Sequence, residues 1–250
     1  MNAPKKCLCL LGLALCLALA TAAFAGPAEQ IKQADALYAQ RADLAKAQQA
    51  ADQYQQVLKA DPKSEEAAWK LARTLYWVGS HAAKDQQVDI FDRAVKAGQQ
   101  AVAINPKSLP GHYWLGVAYG VYGNAKGVMK SLSLVNPIKQ EMALVIQMDP
   151  NYEAGGAYRV LGRLYFKLPG LFGGDNALAI KNLKTSVAKG PQRYLSHIYL
   201  AEVLIDEGQK AEAKKYLQMV VSGPADPGYE PEDKEWKATA QKMLKKHLDQ

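Results

Sequence analysis

Cysteine is missing from all but the first sixteen residues of this 250-residue chain: Cys7, Cys9 and Cys16 are its only three. From Gly26 onward the chain can form no disulfide, offers no thiol nucleophile and has no thiolate to hold a metal. Its stability must come from packing. Long apolar runs are also missing after residue 25, so no second segment is long enough to span a bilayer. The recognised catalytic signatures are absent too. There is no phosphate-cradling glycine loop ending in Lys-Ser or Lys-Thr, no Gly-x-Ser-x-Gly and no His-Glu-x2-His. The four histidines, His81, His112, His197 and His247, stand far apart in sequence. Asp61 and Asp149 precede prolines and read as turn residues, not as an acid–base pair. An enzyme is not expected, nor is a cofactor or a metal.

What is present begins with a leader. Lys5 and Lys6 open a basic start, Cys7 to Ala20 is apolar, and Ala23-Phe24-Ala25 supplies a small-x-small cleavage pattern. This predicts a secretory signal over residues 1–25, cut before Gly26, and a periplasmic product. The competing reading is an uncleaved membrane anchor. A lipid anchor is not expected, because Cys16 follows Leu15 and not a small residue. Loss of Lys5 and Lys6 takes the formal net charge from +7 to +5. Those charges are scattered among carboxylates except near the C-terminus, which argues for solubility and against a nucleic-acid partner.

The rest of the chain repeats. Pro62, Pro106 and Pro150 lie 44 residues apart and Pro191 follows 41 later, each just after an apolar helical run. Proline cannot continue a helix, so each marks a stop. Twelve residues before these prolines stand Ala50, Ala94, Ile138 and Ala179, and four further on Tyr54, Gly98, Met142 and Leu183. The preceding segments also match: Trp69-x2-Ala72-Arg73-x2-Tyr76, His112-x2-Leu115-Gly116-x2-Tyr119, Tyr158-x2-Leu161-Gly162-x2-Tyr165 and His197-x2-Leu200-Ala201-x2-Leu204. A fainter copy has Ala34, Leu37, Tyr38 and Arg41. This is the tetratricopeptide pattern: a small residue beside the leucine admits the second helix, and an aromatic fills the gap to the next hairpin. The predicted fold is an all-α array of about five helical hairpins over residues 26–250. A C-terminal capping helix over Pro231–Leu248 has Trp236, Ala240 and Leu244 on one side. Ile138 and Gly98 depart from the pattern and predict irregular packing in their hairpins.

Three hairpins, at about 67–106, 107–150 and 151–191, are too long. Their extra 9, 10 and 5 residues all fall between the first and second helix, on one edge of the stack. These stretches alternate rings and glycines after Tyr76, Tyr119 and Tyr165. Glycine costs a helix roughly 1 kcal/mol relative to alanine, so the density asks for a reason. Either the stretches are elbows whose rings tuck into inter-repeat packing, or they line a cleft. The second reading gathers Trp77, Tyr119, Tyr122, Asn124, Lys126, Phe166, Phe172 and Asp175 into a ligand- or partner-binding edge. Tyr158, Arg159 and Arg163 lie on the helix leading to it. Arg159 and Arg163, one turn apart, suit either a carboxylate or neighbouring acids as partner.

The stretch Tyr113-Trp114-Leu115-Gly116-Val117-Ala118-Tyr119-Gly120-Val121-Tyr122-Gly123-Asn124-Ala125-Lys126-Gly127 resembles the T-component family associated with TRAP transporters. The likeness runs on through Lys130 to Val135, Gly155 to Tyr165, Leu168-Pro169-Gly170 and Gly173-Gly174-Asp175. It implies a periplasmic repeat protein, often a trimer, that meets a substrate-binding protein and helps present a small organic acid or hydrophobic ligand. The alternative is a general periplasmic tetratricopeptide scaffold for envelope assembly with no small ligand.

Overall fold

A computed structural model describes residues 26–247; the expected leader, its cleavage site and the last three residues lie outside them. Eleven α-helices fill the described chain, and no strand occurs among the described residues. They pair as α1 (Pro27–Ala39) with α2 (Leu44–Ala60), α3 (Glu65–His81) with α4 (Lys84–Ile104), α5 (Leu109–Lys126) with α6 (Val128–Met148), α7 (Tyr152–Lys167) with α8 (Asn176–Lys189), and α9 (Tyr194–Asp206) with α10 (Lys210–Ser222). A last helix, α11, spans Glu230–His247. The expected hairpin array is therefore what forms.

Local chemistry sets the boundaries. α2, α4 and α6 end at Asp61, Asn105 and Asp149, each followed by one of the repeating prolines. The Asp61, Asn105 and Asp149 side chains accept the amide two residues on, closing the turn. Ser64 and Ser108 then cap the next helices by accepting from Ala67 N and Gly111 N. Helix is stopped and restarted within five residues, which forces the chain back on itself.

The repeat positions pack as their spacing implies. Ala50, Ala94, Ala179 and Ala213 are fully buried and Ile138 nearly so; Tyr54, Met142, Leu183 and Leu217, four residues after Ala50, Ile138, Ala179 and Ala213, are fully buried too. A Cβ on Gly116 would lie 2.3 Å from Met142 Cε, and one on Gly162 would lie 2.5 Å from Leu183 Cγ. Nothing larger than glycine fits between those helix pairs without displacement. The Gly98 departure has a similar cause, since its missing Cβ would meet the Leu115 backbone at 2.9 Å and lets α4 close on α5.

The long hairpins differ from expectation. In the second and third, the surplus is not an elbow. It lengthens both helices, so that α3 runs unbroken through Tyr76-Trp77-Val78-Gly79-Ser80-His81 and α5 through Tyr119 to Lys126. Two residues join α3 to α4 and Gly127 alone joins α5 to α6. The physical reason is packing: Gly79 lies against the Phe91 ring and Gly123 against Ser131. Close helix contact recovers what glycine costs in propensity. Only the fourth hairpin has a true elbow, Leu168–Asp175, containing a 3-10 turn at Gly170–Phe172.

First helices of successive hairpins touch, α3 on α5, α5 on α7 and α7 on α9. The stack therefore curls with these helices inside. The C-terminal helix does more than cap. It packs on α9 and α10, then reaches across the inner face to the first hairpin, where Glu232 meets Arg41.

Candidate functional site

The inner face encloses a cleft of about 690 Å³. Its walls come from α3 (Tyr76, Trp77), α5 (Tyr113, Trp114, Val117, Gly120), α7 (Val160, Leu164) and α9 (Tyr199), and one side is closed by Trp236 of α11 and by Tyr229 just before that helix. Three rings of its wall touch, Tyr76 lying 5.9 Å from Trp114 and Tyr113 edge-on to Trp114, and Tyr152 packs edge-on to Tyr113 outside the lining. This is an apolar wall of rigid side chains, costly to hold open to water unless something occupies it.

Beneath the rings lies a polar floor built from distant parts of the chain. α7 begins with three residues in left-handed conformation, Glu153 (φ 50°), Ala154 (φ 55°) and Gly155 (φ 70°). Non-glycine residues adopt this at a cost of about 1–3 kcal/mol each, and the compensation is visible. The turn places the Glu153 carboxylate where it accepts from Arg193 Nη1 at 2.7 Å and from the Tyr229 hydroxyl. Burial by itself raises the Glu153 carboxyl, but Tyr229 and Arg193 outweigh it and hold it below the usual carboxylate range. Burial, then the Glu153 charge, push the Tyr229 phenol well above its ordinary value. Arg193 also donates to Asp226 at 2.7 Å and stacks over the Tyr229 ring at 3.4 Å.

A second buried pair seals the closed side. Arg41 donates from Nε to Glu232 Oε1 at 2.8 Å and from Nη2 to Glu232 Oε2 at 2.6 Å, and Nη2 also reaches Gly228 O. Trp77 Nε1 donates to Arg41 O at 2.8 Å. His81 lies between Trp77 O at 2.8 Å and Glu235 Oε1 at 2.7 Å. Helix α11 is thus tied to the first and second hairpins.

The expected site residues divide. Trp77, Tyr119, Asn124, Arg159 and Arg163 line the cleft. Within it Trp77 is buried and bonded, and Tyr119 accepts from Gln99. Arg159 is 6% exposed and donates to the Tyr113 hydroxyl at 2.8 Å, with no carboxylate among its hydrogen-bond partners. Arg163 pairs with Glu202 and stacks on Tyr199 at 4.2 Å. The other six lie outside. Tyr122 sits under Lys130, Tyr158 under Lys189, and Phe166 packs against the apolar core formed by α8, α9, α10 and α11, with Lys167 over its ring. Asp175 caps α8 by accepting from Leu178 N, while Lys126 and Phe172 are exposed on the rim. The three stretches do not gather on one edge as expected, because two of them are helix and present only part of their length to the cleft.

Sequence reasoning missed Tyr113, Trp114, Val117, Val160 and Tyr199. A signal for them existed. They stand one, two or five residues after the recurring slot at His112, Tyr158 and His197, as do Arg159 and Arg163. Those offsets face the cleft on α5 and α7, and the second of them on α9, while α3 reaches it further along, at Tyr76, Trp77, Ser80 and His81. No such signal links Arg41 to Glu232 across the array. His112 and His197 are both buried, and no cluster of His, Cys, Asp or Glu suited to a metal occurs among the described residues. No helix there is long and apolar enough to cross a membrane.

Fold and cleft together define an all-helical tetratricopeptide-like repeat protein with an enclosed inner groove. Among solved structures it is similar to a thermophilic tetratricopeptide protein of Thermus thermophilus, with TM-score 0.63 and 20% identity over 86% of this chain and 98% of that one. It is also similar to PilW, a type IV pilus biogenesis factor, with TM-score 0.58 and 19% identity over 88% and 92%. PilF of Pseudomonas aeruginosa gives TM-score 0.55 and 16% identity over 89% and 92%. No curated protein matches the chain. The family model for regulator of microtubule dynamics protein 1-3 matches residues 30–171, more than half the chain, and the chain belongs to that family. This overturns the resemblance to the TRAP T-component family. The glycine–aromatic stretch that suggested it is α5, where Gly116 lies against Met142 and Gly123 against Ser131, so its glycines serve helix packing. The substrate-binding partner, the small transported ligand and the trimer had no other support.

Proposed function

We propose that this protein is a non-catalytic scaffold whose inner groove takes up a segment of a partner protein. The carrying observation is the groove itself. Residues of the first helices α3, α5, α7 and α9 line one surface, at equivalent offsets on α5 and α7, with rings supplying contact area. The name of its family, regulator of microtubule dynamics, and the pilus-biogenesis role of PilW support binding over catalysis. The leader places the mature chain in the periplasm in this reading, so its partners are envelope proteins and not nucleic acid.

Gly120 offers a test. It lines the groove, and a Cβ there would meet nothing within 4 Å. Gly120→Leu should therefore block the groove while leaving the fold intact. The expected result is capture of a specific envelope protein by the parent chain in affinity purification, lost in Gly120→Leu at unchanged melting temperature. Equal capture by both would place partner binding elsewhere.

A further inference from the structure

The mouth of the groove carries a second feature that partner binding inside does not use. Val128 and Met129 are 70% and 81% exposed at the start of α6, and Leu171 and Phe172 are 90% and 49% exposed on the 3-10 turn. Both are tips between the helices of neighbouring hairpins. They border one opening, since Asn124, Gly127 and Val128 line the cleft from one side and Leu168 and Pro169 from the other. Large apolar side chains seldom protrude at two adjacent tips of a soluble surface without a partner.

These tips are held outward and do not collapse. Phe172 N and Gly174 N both donate to Pro169 O, at 2.8 and 3.1 Å, and Asp175 N donates to Tyr165 O at 3.1 Å. Gly173 closes the turn at φ 89°. A pinned turn loses little entropy when its side chains insert into something.

Charge selects the occupant. Residues 124–130 and 166–175 contain Lys126, Lys130 and Lys167 against one carboxylate, Asp175, which is engaged in capping α8 through Leu178 N. Lys167 holds Glu202 at 2.6 Å and Lys130 lies over the Tyr122 ring, while Lys126 is exposed beside Gly127. Protein interfaces are depleted in lysine and are broad, whereas paired apolar tips ringed by lysine suit the boundary of an anionic bilayer. We infer that this edge of the array rests on an anionic lipid surface, inserting Val128, Met129, Leu171 and Phe172 with Lys126 and Lys130 at headgroup level. The groove would then open toward the membrane. The inference does not depend on what the groove binds.

The test uses the chain from Gly26 onward, because every helix of the array lies beyond the leader. Flotation is measured with vesicles of phosphatidylcholine plus phosphatidylglycerol and with phosphatidylcholine alone. The parent should float with the anionic vesicles and far less with the neutral ones. Met129→Glu/Leu171→Glu should weaken that association by at least about tenfold, and Lys126→Gln/Lys130→Gln by about tenfold or more. All these side chains are on the surface, so helix content and melting temperature should stay at parent values; Gly120→Leu should float like the parent. Failure of the parent to float overturns the proposal, as does normal flotation of Met129→Glu/Leu171→Glu. Loss of protein capture by that variant, with a parent that ignores vesicles, would make the edge a protein interface and equally end the proposal.

Discussion

Replacing Glu232 with alanine strands the Arg41 guanidinium where water barely reaches it. The two side chains are 6% and 12% exposed, so solvent screens the pair little. Three donor contacts hold the arginine, two to Glu232 and one to Gly228 O, and it lies between the rings of Tyr38, Trp77 and Tyr229 at 5.0, 5.6 and 5.8 Å. Removing one partner of such a pair costs about 3–5 kcal/mol, because the remaining charge keeps its desolvation penalty. For a domain of this size that corresponds to roughly 6–20 °C in melting temperature. The contact spans 191 residues, so its loss should also free α11 from the first hairpin. Thermal and urea unfolding by circular dichroism measure the cost, and proteolysis at Gly223–Tyr229 reports the release. Arg41→Met/Glu232→Leu removes both charges and should recover most of the lost stability. A cost below about 1 kcal/mol for Glu232→Ala, or a double variant no better than the single, would refute the claim that an unpaired buried charge is what destabilises.

His197 is 2% exposed, edge-on to Tyr194 and Tyr216, so His197→Ala should cost about 3–5 kcal/mol, while exposed Phe172→Ala should stay within about 0.5 kcal/mol in the same unfolding assay. Gly98→Ala should destabilise by about 1–3 kcal/mol because its Cβ meets the Leu115 backbone; Gly120→Ala, with open space around it, should stabilise by about 0.5–1 kcal/mol. Stability should fall with acid in two stages. Burial holds the His197 imidazole below its ordinary value, so its contribution is complete above about pH 6.5 and shrinks as the unfolded histidine takes up its proton. Glu153 and Glu202 have lowered carboxyls, despite burial, through Tyr229 and Arg193 and through Lys167 and Arg163; their contribution is present above about pH 4.4 and lost below it. Unfolding free energy that is flat from pH 7 to pH 4 would contradict the histidine assignment.

Several features were legible in the residues alone because their causes are local. Pro62, Pro106 and Pro150, each after Asp or Asn at the end of an apolar run, and Pro191 after Gly190 fall at the junctions between hairpins, whereas Asn136-Pro137 lies inside α6 without ending it. The alternation of small and large residues at Ala50 and Tyr54, or Ala179 and Leu183, follows from helix geometry and reports which face is buried. Part of the groove was legible as well, through Trp77, Tyr119, Asn124, Arg159 and Arg163. The glycine-rich stretches misled, because glycine by itself signals a turn as readily as a close helix contact. Gly79 and Gly123 meant contact, and only Phe91 and Ser131 on the returning helices reveal it.

Three things were decided by tertiary structure. The curl of the stack chose which offsets on each first helix face inward, and so made Tyr113, Trp114 and Tyr199 groove residues. The left-handed turn at Glu153 is tolerated only because Arg193 and Tyr229, 40 and 76 residues away, receive its carboxylate. The C-terminal helix reads in sequence as a cap for the hairpin before it, since its apolar stripe of Trp236, Ala240 and Leu244 asks only for a neighbour. That it also crosses the inner face to meet Arg41 depends on the accumulated rotation of five hairpins. Periodicity specifies each step of that rotation, but only the folded array brings the two ends within reach of an ion pair.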